Sequence, residues 1–297
     1  MTVRNAINDW LWIARYHIVL VAVTATVVFG WLMSGRYLGP LAAVVGIDWF
    51  LINLLNRITD LAEDTHNQVP GTARVAAQKD WLTALSLVLL VGSLVVTHLV
   101  WPQLTPWRVA VQLIGLAYNY RVVPTPSGLS RLKEMYFFKN FGSAMIFLLT
   151  CFCYPLVVAH VAWSPAAVAL ACFFIPFELT YEILYDLRDL EGDRAEGVPT
   201  YPVVHGEAAS IRIIDGLLVL AMLALLVGIG TRALGSRQAP LLCGPIIQAV
   251  FYKSRIRKGL TSRDCIGLTH LGSAQIMIFL LCTYFWDRAG LPFNAYI

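Results

Sequence analysis

Charge is what this sequence has least of. Asp, Glu, Lys and Arg fill 13% of its 297 positions, about half the share of an ordinary soluble domain, while 58% of positions are hydrophobic. That deficit excludes a soluble globular enzyme. The six cysteines contain no CxxC pair, and five of them (Cys151, Cys153, Cys172, Cys243 and Cys282) lie inside apolar segments, so they read as small packing residues. The six histidines show no metal-ligand spacing. Low-complexity tracts and clear linkers are missing too. One integrated helical domain over residues 1–297 is the expectation.

Long apolar runs are abundant. Nine segments are candidate membrane spans: roughly 17–34, 38–58, 81–101, 105–120, 137–159, 162–185, 211–233, 239–253 and 268–286. A spanning helix needs about 20 mainly apolar residues, and the fourth and eighth segments are short for this. The fold class expected is an all-α polytopic membrane bundle of about nine helices. "RNAINDWLWIARYH", just before the first segment, reads as an interfacial helix with aromatic anchors. With nine spans, 17 of the 22 basic residues share one side with the N-terminus. The positive-inside rule makes that side cytoplasmic.

The acids are concentrated. Of eighteen acidic residues, ten lie in two short stretches, 60–64 and 178–196. At about 100° per residue, Asn56, Asp60 and Asp64 step around a helix by only about 40° each, and Asn53 falls in the same stripe. Glu178, Glu182, Asp186, Asp189 and Asp193 fall within an arc of about 80° by the same arithmetic. Each set is a column of oxygen ligands at the end of an apolar segment, and both ends lie on the same side. Carboxylates in a membrane are costly unless paired, protonated or bound to cations. Oxygen-preferring Mg²⁺, usually held by one or two carboxylates plus substrate phosphates, suits such columns. They therefore read as a diphosphate site. Between them, "YNYRVVPTPSGLSRLKEMYFFKN" supplies Tyr118, Tyr120, Arg121, Arg131, Lys133 and Lys139, hydroxyls and cations able to stabilise a departing diphosphate.

On these residues the chain resembles the UbiA-type intramembrane prenyltransferases. That family has nine transmembrane helices and two aspartate-rich motifs, on its second and sixth helices. The first appears here as Asn56, Asp60 and Asp64, and the second as "DLRDLEGDRAEG" with Asp186, Asp189 and Asp193. The family's tyrosine-and-lysine segment resembles Tyr118 and the run Arg131, Leu132, Lys133, Lys139, Asn140. The chain departs from the pattern at Arg57, where members often carry an acid, and at Gln68 and Val69, where an Asn-Arg-Pro step is common.

The resemblance implies a Mg²⁺-dependent enzyme of the bilayer. Its partners would be a prenyl diphosphate donor and a small hydrophobic acceptor, aromatic or lipid-like, with no nucleic acid. Asn56, Asp60, Asp64, Asp186, Asp189 and Asp193 would hold metal. Asp60, Asp64, Asp186, Asp189, Lys133 and Lys139 would carry the chemistry, and Asn53, Asn56, Tyr118 and Arg131 would bind the donor. An allylic cation would form in an apolar chamber, where aromatic faces can stabilise it. Asp48 and Glu178 lie deeper, open to acceptor contact, to service as a base, or to a structural role. A membrane terpene cyclase would carry the same metal motifs. An ion-coupled transporter fits less well, because the two motifs run in the same sense instead of crossing the midplane.

Overall fold

A computed structural model describes residues 10–67, 69–126 and 128–291. Arg4, residues 4–9 of the expected interfacial helix, and Gln68 lie outside the described residues; residues 10–13 of that segment are helical.

Each expected span is a helix. They are α1 (Tyr16–Ser34), α2 (Gly39–Thr59), α5 (Lys79–Val100), α6 (Thr105–Asn119), α7 (Phe138–Ala159), α8 (Pro165–Arg188), α11 (Glu207–Gly230), α12 (Cys243–Ile256) and α13 (Ser262–Arg288). Short helices α3 (Leu61–His66), α4 (Thr72–Ala77), α9 (Leu190–Ala195) and α10 (Tyr201–His205) lie between them. Among the described residues, seven helices are long and apolar enough to cross a membrane. The other two, α6 and α12, have 15 and 14 residues, short of the roughly 20 a crossing needs. Each is preceded by a 3₁₀ turn, Pro102–Leu104 and Ser236–Leu242. Of the nine expected crossings, seven are therefore helices of crossing length among the described residues.

Local chemistry sets the ends. Ser164 accepts from the Ala167 N–H at 3.2 Å, with Pro165 at the first helical position of α8, an N-terminal arrangement that satisfies an otherwise orphaned donor. Thr261 and Asp264 cap each other's backbone at the start of α13. A π turn at 149–153 inside α7 lets Thr150 Oγ1 accept from Trp49 Nε1 at 3.1 Å. Among the described residues, one two-stranded antiparallel pairing, unanticipated from sequence, joins Val123–Thr125 to Gly128–Ser130.

Burial divides the helices into two groups. The apolar windows of α2 and α7 are 72% and 67% buried, whereas that of α5 is 11% buried. Leu87, Val88, Val91, Val95 and Leu99 of α5 are exposed. An apolar surface of this kind needs hydrocarbon around it, so the chain is an integral membrane protein. The last long helix, α13, packs back on α1, and the ring so formed surrounds a cavity.

Candidate active site

The two acidic sets face that cavity. Asn53 and Asn56 come from the last turns of α2, and Glu63 and Asp64 from α3. Glu178, Tyr181, Glu182, Tyr185 and Asp186 come from α8, and Asp193 from α9. The middle acid of each motif sits at a break: Asp60 (φ −104°, ψ 28°) separates α2 from α3, and Asp189 (φ −93°, ψ 10°) separates α8 from α9. Single continuous columns were expected. Each is instead kinked at its centre, although the i to i+4 bonds from Asp64 N–H to Asp60 O (2.8 Å) and from Asp193 N–H to Asp189 O (2.9 Å) survive. The breaks are matched, and the two short helices pack against each other beside the cavity. Gly192 of α9 faces Asn67 so closely that a Cβ there would collide with the Asn67 amide.

The third wall supplies cations. Lys133 Nζ lies 2.6 Å from Asp60 Oδ2 and 2.9 Å from Glu63 Oε2. Arg131 Nη1 lies 2.9 Å from Asp60 Oδ1. Lys139 Nζ donates to Asp186 at 2.7 Å and to Asp193 at 3.1 Å, and Asn140 Nδ2 donates to the other Asp186 oxygen at 2.7 Å. Arg188 pairs with Asp189. Burial pushes Glu134 up, but hydrogen bonds from the Arg131 backbone and side chain, with Arg121, outweigh it and hold the carboxyl down at about 2. Ionised Glu134 therefore anchors Arg131 beside Asp60. Burial raises Asp64 above the usual carboxylate range. Burial also raises Asp193, to about 6, against the pull of Lys139.

Below this polar layer the lining is apolar and aromatic. Trp49, Ile52, Ile146, Phe147, Phe174, Phe177 and Ile276 form it, with the Trp49 and Phe147 rings 4.1 Å apart. Tyr118 also faces the cavity.

Asn53, Asn56, Asp60, Asp64, Tyr118, Lys133, Lys139, Asp186, Asp189 and Asp193 are thus brought together around one cavity, with Arg131 directly behind Asp60. Asp48 is not with them. It is fully buried and paired with Arg108, accepts from Gln112 Nε2 at 2.8 Å and from the Tyr154 hydroxyl at 3.2 Å, and so ties α2 to α6 and α7. Its role is structural. Arg57, the departure within the first motif, is fully buried against Asp64 and donates to Pro70 O at 2.8 Å, locking the turn after α3. Arg15 and His17 line the cavity and were not singled out from sequence. Arg15 has φ +44°, uncommon for a side-chain-bearing residue, and this turn carries the chain into α1. Its only sequence signal is a basic residue before an apolar run, which any cytoplasmic flank gives.

A membrane bundle with paired acidic motifs and interposed cations above an aromatic chamber defines a class of intramembrane proteins built around an anionic head group with an apolar tail. The chain belongs to the UbiA prenyltransferase family, whose profile matches residues 18–271. Its fold is similar to that of a UbiA homologue from Archaeoglobus fulgidus solved with GPP and Mg²⁺ (TM-score 0.69, 15% identity, covering 91% of this chain and 97% of that one). It is also similar to a structure from work on digeranylgeranylglyceryl phosphate synthase in membranes (TM-score 0.61, 18% identity, covering 93% and 96%). A stretch of 48 residues is 44% identical to the digeranylgeranylglyceryl phosphate synthase of Haloquadratum walsbyi, and covers 16% of this chain and 17% of that protein. A stretch of 43 residues is 46% identical to the enzyme of that name from Natronomonas pharaonis, covering 14% and 16%. The chain thus spans only about one-sixth of the length of these curated relatives.

Proposed function

We propose that the protein is a Mg²⁺-dependent intramembrane prenyltransferase, moving an isoprenyl group from a prenyl diphosphate to an aromatic or lipid-like acceptor. The observation that carries this reading is the layering of one cavity: two oxygen-rich motifs with Lys133 and Lys139 between them, beside an aromatic, apolar lining. The relatives solved with GPP and Mg²⁺ or DMAPP and Mg²⁺ support it.

The donor set suits a hard cation. Asn56, Asp60 and Asp64 on one side, and Asp186, Asp189 and Asp193 on the other, offer oxygen ligands only. Mg²⁺ completes its sphere with water and phosphate oxygens, so one or two carboxylates from each motif would suffice. Mg²⁺ held there would neutralise the diphosphate and favour its departure.

The chain's own residues do the rest. Arg131, Lys133 and Lys139 present fixed positive charge to the leaving group. The floor of Trp49, Phe147, Phe174 and Phe177 excludes water from the allylic carbon and offers ring faces to developing positive charge. Counted over nine crossings, 17 of the 22 basic residues share the side of the N-terminus, which supports a site that faces the cytoplasm.

The test is product analysis with geranyl, farnesyl and geranylgeranyl diphosphates, with Mg²⁺ or EDTA, and with or without acceptor. Mg²⁺-dependent diphosphate release that rises with acceptor and yields a prenylated acceptor is the expected result. A cyclic hydrocarbon or alcohol from donor alone would make the protein a cyclase.

A further inference from the structure

The segment that joins α6 to α7 exposes the wrong residues for a loop in water. Along 120–130, Tyr120, Val122, Pro124, Pro126 and Leu129 are exposed, and among the exposed residues described there only Arg121 is charged. Val122 is 56% and Leu129 62% exposed. The antiparallel pairing sets Pro124 opposite Leu129, and residues directly opposite share one face. The other face carries Thr125 and Ser130, whose hydroxyls lie 3.3 Å apart and are partly buried. The usual pattern is thus inverted: the outward face is apolar and the inward face polar.

The loop between α12 and α13 gives the contrast. It lies on the same side of the molecule as the motifs, because α13 starts beside the end of α8: the hydroxyls of Tyr185 and Thr269 are 3.0 Å apart, and Cys265 Sγ is 3.8 Å from Leu184 O. That loop exposes Lys253, Arg255, Arg257, Lys258 and Arg263, while its Ile256 and Leu260 turn inward against the core. It is built for water, and the strand pair is not. The helix that leads to the pair sets its level. α6 has 15 residues and the 3₁₀ turn before it three, so together they rise about 28 Å, just under the roughly 30 Å of bilayer hydrocarbon. The chain therefore leaves α6 at the level of the lipid head groups. Val109 and Leu113 are exposed along α6, and Phe137 and Phe138 are exposed where the chain enters α7. The apolar face is continuous with this lipid-facing surface.

We propose that the paired strands Val123–Thr125 and Gly128–Ser130 lie on the bilayer, with Val122, Pro124 and Leu129 inserted at the boundary between head groups and acyl chains. The partner is the lipid surface itself. Arg121, the exposed charge beside this face, has the sign that lipid phosphates attract. A two-stranded pair alone is marginal in water, and the bilayer supplies the surface it lacks. The second strand runs on through Arg131 to Lys133, which lie 2.9 and 2.6 Å from the Asp60 carboxylate. Strands fixed to the bilayer thereby steady these two cations against the first motif.

The experiment uses the full chain in nanodiscs of phosphatidylcholine and phosphatidylglycerol, with the exposed cysteines Cys172, Cys243 and Cys282 replaced by alanine. A nitroxide is attached at Leu129→Cys, at Pro124→Cys and, as the reference in water, at Lys258→Cys. Collision rates with oxygen, which concentrates in lipid, and with a water-soluble nickel chelate are read by electron paramagnetic resonance. The expected oxygen-to-nickel ratio at Leu129 and Pro124 is about fivefold or more above that at Lys258, as for side chains roughly 5–10 Å into the head-group boundary. A ratio at both sites equal to that at Lys258 would put the strands in water and overturn the inference. Protection from both reagents would also overturn it, because a protein surface, such as a second copy of this chain, would then cover the face in place of lipid. Each labelled strand gives the reading by itself, so poor folding of one variant leaves the other decisive.

Discussion

Buried charges in this site are held in specific pairs, and single substitutions expose how much each pair does. Arg57 and Asp64 are both within the protein, and Arg57 also secures Pro70 O. Arg57→Met strands a buried carboxylate, a change that costs roughly 3–5 kcal/mol in comparable pairs. We expect a clear fall in thermal midpoint in detergent, largest at neutral pH where Asp64 must ionise. Asp193 makes a different prediction. Burial lifts its carboxyl from about 3.8 to about 6, so between those values the folded protein keeps a proton that the free side chain would have lost. A metal ligand must be deprotonated. With Asp193 as a Mg²⁺ ligand, as proposed, metal binding competes with that proton below pH 6, and the affinity for Mg²⁺ should be about tenfold weaker at pH 5 than at pH 7. Titration calorimetry checks this, with Asp193→Asn as the control that removes the pH dependence.

At the scale of elements, the two motifs are a matched pair of kinked helix ends, α2 into α3 and α8 into α9, clamped where Gly192 meets Asn67. Gly192→Ala inserts a methyl group into that contact. Overpacking costs roughly 1–3 kcal/mol, and here the relief is to part the two motifs. Donor affinity in the presence of Mg²⁺ should fall about tenfold, with the helices themselves intact by circular dichroism. The four-residue spacing of Asn56, Asp60 and Asp64 was legible in the sequence because a helix repeats on that scale. The kinks were not. Asp60 and Asp189 are each followed by leucine, with no proline or glycine at the break, and only one residue departs from helical geometry. A tertiary cause, the pull of Lys133 and Arg131 on Asp60, leaves no local mark. The same limit left Asp48 open between acceptor contact, service as a base and a structural role. As an acid in an apolar run it resembled Glu178, and only the fold brings Arg108 to it from 60 residues away.

For the whole molecule, the division of surfaces follows from the solvent. Helices such as α5 turn apolar side chains outward, while α2 and α7 bury theirs around the cavity. Hydropathy therefore placed the nine helices to within about six residues at each end, yet it could not separate the seven of crossing length from α6 and α12, which enter through 3₁₀ turns. It also could not show that α1 and α13, from opposite ends of the chain, close the same chamber. The arrangement makes one central claim: the two motifs act together on one diphosphate. The most direct test is Mg²⁺-dependent release of diphosphate from geranylgeranyl diphosphate by the purified protein, beside Asp60→Ala and Asp189→Ala, one from each kink. Release by the wild type, abolished by EDTA and reduced at least 100-fold by either substitution alone, is the predicted result. Release that is indifferent to EDTA, or that survives both substitutions at the wild-type rate, would contradict the account.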